Sequence, residues 1–444
     1  MKGDKEQISP SRKLILGFLS VIAVGVFLLM LPFSWKEGKS LNFLEALFTV
    51  VSAVCVTGLT VVDVSEVFSP LGDVILIALI QIGGLGVMTF SSIVFLLAGQ
   101  KMTLYTRILL KEERNANSVG EILNFVRLML LTVFIIESIG AVILIHEFRK
   151  IMPHEQAIYY GIFHSISAFC NAGFSLFSNS LENFRGNSVI SLTISYLIIL
   201  GGMGFAIINS FIMMIRKGVS RFTLTSKLAI HISMILTFGG AVLFFLLEFS
   251  NSATLSPLPW SEKIISSVFQ SVTLRTAGFN TIPLGNLRSA TVFMACIWML
   301  IGASPGSTGG GIKTTTLGVI LFYVIGIIRG KEHVEIFNRR LDWDVMNKAL
   351  ALLVLSLSYI ALVILFLLVL EPFSMEKIVF EVVSAFGTVG LTMGITPYLS
   401  VSSKLVIIVT MFVGRLGPMT IALALGEKKK KARVQYPKED ILIG

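Results

Sequence analysis

Apolar residues along the chain gather into runs of two lengths. The long runs, roughly 14–32, 71–99, 122–148, 188–215, 228–250, 291–328, 345–370 and 402–425, reach the ~20 residues that a helix needs to cross ~30 Å of hydrocarbon. They predict eight membrane-spanning helices. Between odd and even spans lie shorter apolar patches at 43–54, 158–170, 261–272 and 375–386. About a dozen residues cannot cross a bilayer, so these patches read as re-entrant helices. The first span follows Arg12 and Lys13, but its length and the lack of a small-residue cleavage site favour a retained helix over a signal peptide.

Each short patch runs into a polar, glycine-bearing stretch. These read CVTGL (55–59), CNAGF (170–174), RTAGF (275–279) and GTVGL (387–391), centred on Gly58, Gly173, Gly278 and Gly390, which lie 115, 105 and 112 residues apart. Ten residues before the glycines stand Phe48, Phe163, Val268 and Phe380, and six before them Ser52, Ser167, Val272 and Ser384. The register marks a fourfold internal repeat. Each unit is span, re-entrant helix, glycine stretch, span, with boundaries at 1–99, 100–215, 216–328 and 329–444. The expected fold is an all-α polytopic membrane protein with four such repeats around one central pore and both termini cytoplasmic.

Composition agrees with the pattern. Of the 444 residues 54% are hydrophobic and only 14% charged, and the mean hydropathy is +0.85, more apolar surface than a water-soluble chain can cover. The net charge of +10 is unevenly placed: 23 of the 36 Lys and Arg fall before residue 14, in 100–121, 216–227 and 329–348, and from Lys428 onward. Positive-inside bias makes that face cytoplasmic and gives the basic balance a topological meaning, so no nucleic-acid partner is expected. The three cysteines, Cys55, Cys170 and Cys296, sit in apolar segments and indicate no disulfide framework.

A half-crossing helix followed by irregular backbone leaves carbonyls unpaired at membrane depth, which is tolerated only inside protein or along an aqueous path. Four units around one axis turn those carbonyls into an inward-facing ring, glycine supplies the unusual dihedrals, and the helix C-termini add negative potential that favours a cation. Small residues after each glycine, in QIGGLG (81–86), LGGMG (200–204), IGASPG (301–306) and VGRLG (413–417), allow close packing near the axis.

With this fourfold pattern the sequence resembles the Trk/Ktr/HKT superfamily of potassium transporters, most closely the membrane subunit of bacterial Ktr systems, over roughly residues 14–444. The resemblance implies a selectivity filter at Val56, Thr57, Gly58, Asn171, Ala172, Gly173, Thr276, Ala277, Gly278, Thr388, Val389 and Gly390, with K⁺ held there. Some plant relatives that prefer sodium carry serine at the first filter glycine, where this chain has Gly58, which the resemblance reads as favouring potassium. The resemblance further implies potassium uptake across the bacterial plasma membrane, Na⁺ as an activating or coupled ion, a homodimer with two separate pores, and a cytosolic ring of nucleotide-binding regulatory subunits. No cofactor is expected in this chain.

Two features break the symmetry. In the third unit the second span is interrupted by Gly302, Ala303, Ser304, Pro305, Gly306, Ser307, Thr308, Gly309, Gly310 and Gly311, followed by Lys313. One proline and five glycines within ten residues exclude a continuous helix; only the third unit shows such a break, its glycines and serines are expected to make it mobile, and the resemblance implies a gating loop beneath the filter. Arg415 lies mid-span, where a charge costs ~2.5–3.5 kcal/mol on insertion scales, and is expected to face the cavity near that loop. Arg275 is placed behind the filter, with Glu381 as a candidate counter-ion. GASPG (302–306) matches a serine-nucleophile pattern, yet neither His164 nor His231 is aimed at Ser304 by the sequence, so no enzyme is expected. GGGIKT (309–314) fails as a nucleotide loop because Ile312 replaces the second glycine. A secondary cation carrier built on broken helices, or a sodium-permeable relative of the same fold, is the remaining alternative.

Overall fold

The computed structural model describes residues 10–86, 119–217, 222–331 and 333–425. The end of the run expected at 71–99, most of the basic stretch 100–121, the basic residue Arg221 and the tail from Lys428 lie outside the described residues. Among the described residues, four helices are long and apolar enough to cross a membrane: α1 (Pro10–Leu29), α5 (Val119–Phe148), α9 (Leu224–Glu248) and α13 (Trp343–Leu370). Each turns back into a short helix: α2 (Phe43–Val54), α6 (His154–Phe169), α10 (Trp260–Thr273) and α14 (Met375–Gly387). Local chemistry starts these helices. Asn42 and Glu45 form a reciprocal capping box on α2, and Pro153 and Pro259 precede the first turns of α6 and α10, where a missing N–H costs nothing.

The chain then crosses an irregular stretch and enters a second apolar helix. In the first unit it passes a one-turn α3 (Val64–Val67) before α4 (Pro70–Leu85); in the second it enters α7 (Ser188–Met203) and α8 (Phe205–Lys217). The third has α11 (Ser289–Leu300) and α12 (Thr314–Ile328), and the fourth α15 (Val401–Leu416) and α16 (Pro418–Leu425). A two-stranded hairpin of β1 (Glu335–Ile336) and β2 (Arg339–Arg340) joins the third unit to the fourth.

The helix break is not confined to the third unit. α7 and α8 part at Gly204, and α15 and α16 at Gly417, with φ of +90° and +83°, values that L side chains rarely adopt. A Cβ on Gly204 would also lie 2.6 Å from the Pro305 carbonyl oxygen. What sets the third unit apart is length: residues 301–313 replace a single glycine.

Buried carboxylates clamp the helix pairs together. Glu248, at the end of α9, accepts from the Thr254 and Thr291 hydroxyls (both 2.5 Å), the Asn251 amide (2.6 Å) and the Arg288 backbone N–H (3.0 Å). Glu147 accepts from the Asn187 amide at 2.9 Å, and Glu371 from the Ser400 N–H at 2.9 Å. In three units, then, an acid at the end of the first long helix holds the start of the helix that follows the glycine stretch.

Candidate ion pathway

The four glycine stretches share one backbone geometry. Val56, Asn171, Thr276 and Thr388 all have positive φ (55°, 58°, 66° and 49°), and two residues on so do Gly58, Gly173, Gly278 and Gly390 (96°, 69°, 80° and 89°). Positive φ at a β-branched residue is uncommon and costly. The surroundings enforce it. The Thr57, Ala172 and Val389 N–H groups bond back to the Ser52, Ser167 and Ser384 carbonyls, each at 2.8 Å, and the Ser52 hydroxyl accepts from Gly58 N at 3.0 Å. The Ser167 hydroxyl donates to Phe174 O at 2.8 Å.

The third unit keeps this design with one residue fewer. Thr273, not Val272, donates its hydroxyl to Phe279 O at 2.6 Å, and its carbonyl accepts from Ala277 N at 3.1 Å. Phe269 rather than Val268 fills the core position, at 1% exposure. The sequence register was therefore off by one behind Gly278, because an unchanged helix was followed by a shortened turn.

The four stretches meet in cyclic order. A Cβ placed on Gly58 would lie 2.5 Å from Ala172 O; on Gly173, 2.8 Å from Ala277 O; on Gly278, 2.7 Å from Val389 O; and on Gly390 it would collide with Thr57 O. Each unit touches the next and the fourth touches the first, so the backbone closes into a ring in which neighbouring glycine stretches leave each other no room for a Cβ. All four glycines line one side of a cavity of about 570 Å³ whose walls include Asp63, Glu182, Asn280 and Thr392. Asn280 donates to Glu182 at 2.7 Å, and partial burial raises the Glu182 carboxyl above its ordinary value despite that bond.

The opposite side of the ring is covered by residues 301–313. Gly309 and Gly310 fit so closely that a Cβ on either would collide with the Thr276 or Thr388 hydroxyl, and Gly310 N donates to Thr388 Oγ1 at 3.0 Å. This segment was expected to be mobile from its glycines and serines, but it is tied on every side. Ser304 N and Thr308 N donate to Gly202 O (3.0 Å) and Gly201 O (3.2 Å), Gly306 O accepts from Phe205 N (3.1 Å), and Gly311 N donates to Gly414 O (3.3 Å). Ala303 is buried, Gly302 N donates to Ile312 O at 2.8 Å, and the Ser307 hydroxyl donates to Ser304 O at 2.6 Å. Pro305 supplies the carbonyl that Gly204 approaches. Lys313 Nζ donates to Gly309 O at 2.6 Å, and Arg415 donates one Nη to Thr308 O and the other to Gly83 O. Arg415 thus joins three units.

Other candidates resolve differently. Arg275 is buried at 8% exposure and donates to Ser233 Oγ (2.9 Å), Ser233 O (3.3 Å) and Thr237 Oγ1 (3.1 Å), all on α9 behind the third stretch. Glu381 is not its counter-ion: that carboxylate accepts from the Thr392 hydroxyl at 2.8 Å and from the Thr396 hydroxyl. Neutral hydroxyls satisfy it because both threonines lie on the loop just past Gly390. The His164 ring nitrogens are taken by Tyr160 O (2.8 Å) and Ser175 Oγ (3.0 Å), and His231 Nδ1 by Lys227 O (2.7 Å); Ser304 Oγ instead accepts from the Thr314 hydroxyl at 3.3 Å. The carboxylate clamps at Glu147, Glu248 and Glu371 escaped the sequence reading. Their one signal was an acid at the end of three long apolar runs.

Comparison with known proteins identifies the family. The family profile described as TrkH, cation transport protein, matches residues 10–433. The chain is 40% identical to the Ktr system potassium uptake protein B of Bacillus subtilis, covering 99% of this chain and 97% of that protein. It is 38% identical to the potassium/sodium uptake protein NtpJ of Enterococcus hirae, covering 99% and 98%. Among solved structures, the potassium transporter TrkH from Vibrio parahaemolyticus superposes with a TM-score of 0.76 at 18% identity, over 96% of this chain and 86% of that one, a likeness of fold. With its apolar helices and a profile match over nearly its whole length, this chain is a multi-pass plasma-membrane protein that belongs to the TrkH family of cation transport proteins.

Proposed function

We propose that the chain takes up potassium through a single pore whose selectivity filter is the ring formed by residues 56–58, 171–173, 276–278 and 388–390, and whose gate is the segment 302–311 with Lys313 and Arg415. The observation that carries the reading is ring closure: four backbone stretches of one conformation touch in cyclic order, packed so closely that none of their glycines could carry a Cβ without crowding the next stretch. Carbonyl oxygens there replace the hydration shell of a cation, and the short helices aim their negative ends at it. The names of the relatives, a potassium uptake protein and a potassium/sodium uptake protein, favour K⁺ as the ion, with Na⁺ as activator or coupled ion.

In this reading the four units are bounded near residues 99, 215 and 328, contribute eight spans and leave both termini in the cytoplasm. The pore subunit pairs as a homodimer, and a soluble nucleotide-binding ring on the basic face pulls the loop from beneath the filter. The broken helices at Gly204 and Gly417 favour one rival, a carrier that binds ions at discontinuous helices. Flux into proteoliposomes with K⁺ and Na⁺ gradients set independently separates the two. A pore passes K⁺ down its own gradient at zero Na⁺ gradient, whereas a strictly coupled carrier accumulates K⁺ against its gradient when only Na⁺ is driven.

A further inference from the structure

The face of the ring toward residues 302–311 is not made of backbone alone. Its first residues, Val56, Asn171, Thr276 and Thr388, are fully buried and stand in left-handed geometry at the same position of each unit. Three of the four carry side-chain oxygen. With its amide set to satisfy both ends, Asn171 donates to Ile198 O (3.1 Å) and Ala168 O (3.2 Å), which leaves its oxygen to accept from the Thr276 hydroxyl at 3.3 Å. The Thr276 and Thr388 hydroxyls are the atoms that the consecutive residues Gly309 and Gly310 lie against. Gly310 N–H donates to Thr388 Oγ1, so a lone pair that could face a cation is spent on the loop.

Resting on the pore reading above, we propose that Asn171, Thr276 and Thr388 form a second monovalent-cation site on the cavity side of the ring, built from side-chain oxygens. The loop and the cation compete for it. Neutral oxygens at the negative ends of the short helices suit a weakly hydrated monovalent cation, and each of the three residues stands two positions before a glycine of the ring. A peptide N–H and a cation both need the Thr388 oxygen, and the Gly309–Gly310 backbone fills the space the ion would occupy. Only glycine is small enough to do this. Val56 makes the fourth quadrant apolar, so the site is three-sided. Cavity-side K⁺ therefore holds the loop away, and the seated loop empties the site.

The test uses the full-length chain in proteoliposomes, with and without residues 305–310. In the intact chain Thr388→Val removes the loop's anchor, and K⁺ flux without any soluble partner should rise about fivefold, the weight of one hydrogen bond. In the shortened chain the same substitution removes only an ion ligand, and the half-saturating cavity-side K⁺ should rise about fivefold. Thr388→Ser should restore both values. Opposite effects in the two backgrounds are the signature of competition. No change in the shortened chain overturns the cation site, and an unchanged or lower flux in the intact chain overturns the competition. If Thr388→Val does not assemble, Val56→Thr, nearly identical in shape, adds the missing oxygen and should lower the half-saturating K⁺ of the shortened chain; no shift there rejects the site as well. A shortened chain that conducts no faster than the intact one points instead to failure of the gate assignment, and the competition falls with it.

Discussion

Gly58→Ser is the sharpest single-residue probe of the proposed filter, because its effect can be worked from neighbouring atoms. At φ +96° an L side chain is strained by roughly 1–2 kcal/mol. The new Cβ would sit 2.5 Å from Ala172 O and 3.2 Å from Gly173 Cα, so relief requires the Ala172 carbonyl, in the neighbouring quadrant, to move by about half an ångström. One substitution thus disturbs two of four quadrants while leaving α2 and α4 packed. If the displaced carbonyl forfeits about 1–2 kcal/mol of preference for the larger ion, the K⁺/Na⁺ permeability ratio falls roughly 5- to 30-fold at 1.4 kcal/mol per decade. Flux through reconstituted protein under opposed K⁺ and Na⁺ gradients measures the ratio, with the thermal midpoint in detergent as a check on folding. A folded variant with an unchanged ratio refutes the reasoning, since a ring in which this collision is harmless is not the selective element.

Arg415→Ala removes the donors to Thr308 O and Gly83 O and should raise partner-independent K⁺ flux severalfold; a folded variant with wild-type flux removes Arg415 from the gate. Glu248→Ala leaves two hydroxyls, an amide and a backbone N–H without their acceptor, at about 1–3 kcal/mol for each buried donor that finds no substitute. A thermal midpoint lower by several degrees with an unaltered K⁺/Na⁺ ratio is the expected result, and a changed ratio would show that the clamp shapes the ring. Because burial raises the Glu182 carboxyl, its charge is lost at a higher pH than that of a free glutamate as the outer solution is acidified. K⁺ uptake at low external K⁺ and low ionic strength should therefore decline early in the acid range, and Glu182→Gln should abolish that early component; an identical pH profile in the variant would remove Glu182 from ion capture.

The parts legible in the sequence were those written with a period. Four polar glycine stretches after four short apolar patches fixed the short helices to within a few residues, since a dozen apolar residues bounded by Pro153 or Asn42 on one side and a glycine turn on the other have few other uses. Single-residue events were not legible. Gly204 and Gly417 break helices inside runs whose composition is that of a continuous span, and only the contact of Gly204 with the distant Pro305 reveals its backbone demand. The one-residue shortening behind Gly278 escaped because Val272 and Thr273 are adjacent, and alignment on the glycine selects the wrong one. Serines and glycines in 302–311 suggested mobility, yet the N–H groups of Ser304, Thr308, Gly310 and Gly311 are spent on Gly202, Gly201, Thr388 and Gly414, partners far away in sequence that no local pattern announces. Glu381 looked like a counter-ion by sign and depth, whereas its partners were threonines on the adjoining loop.

A selectivity filter of this kind requires a potassium ion inside the ring of Gly58, Gly173, Gly278 and Gly390. Crystals of the full-length protein soaked in thallous ion, a heavy analogue of K⁺, report this directly through anomalous scattering. The account predicts a peak on the axis of the ring, within coordination distance of carbonyl oxygens from all four units, that weakens in Gly58→Ser. Strong thallous peaks elsewhere in the protein with none inside the ring would contradict it.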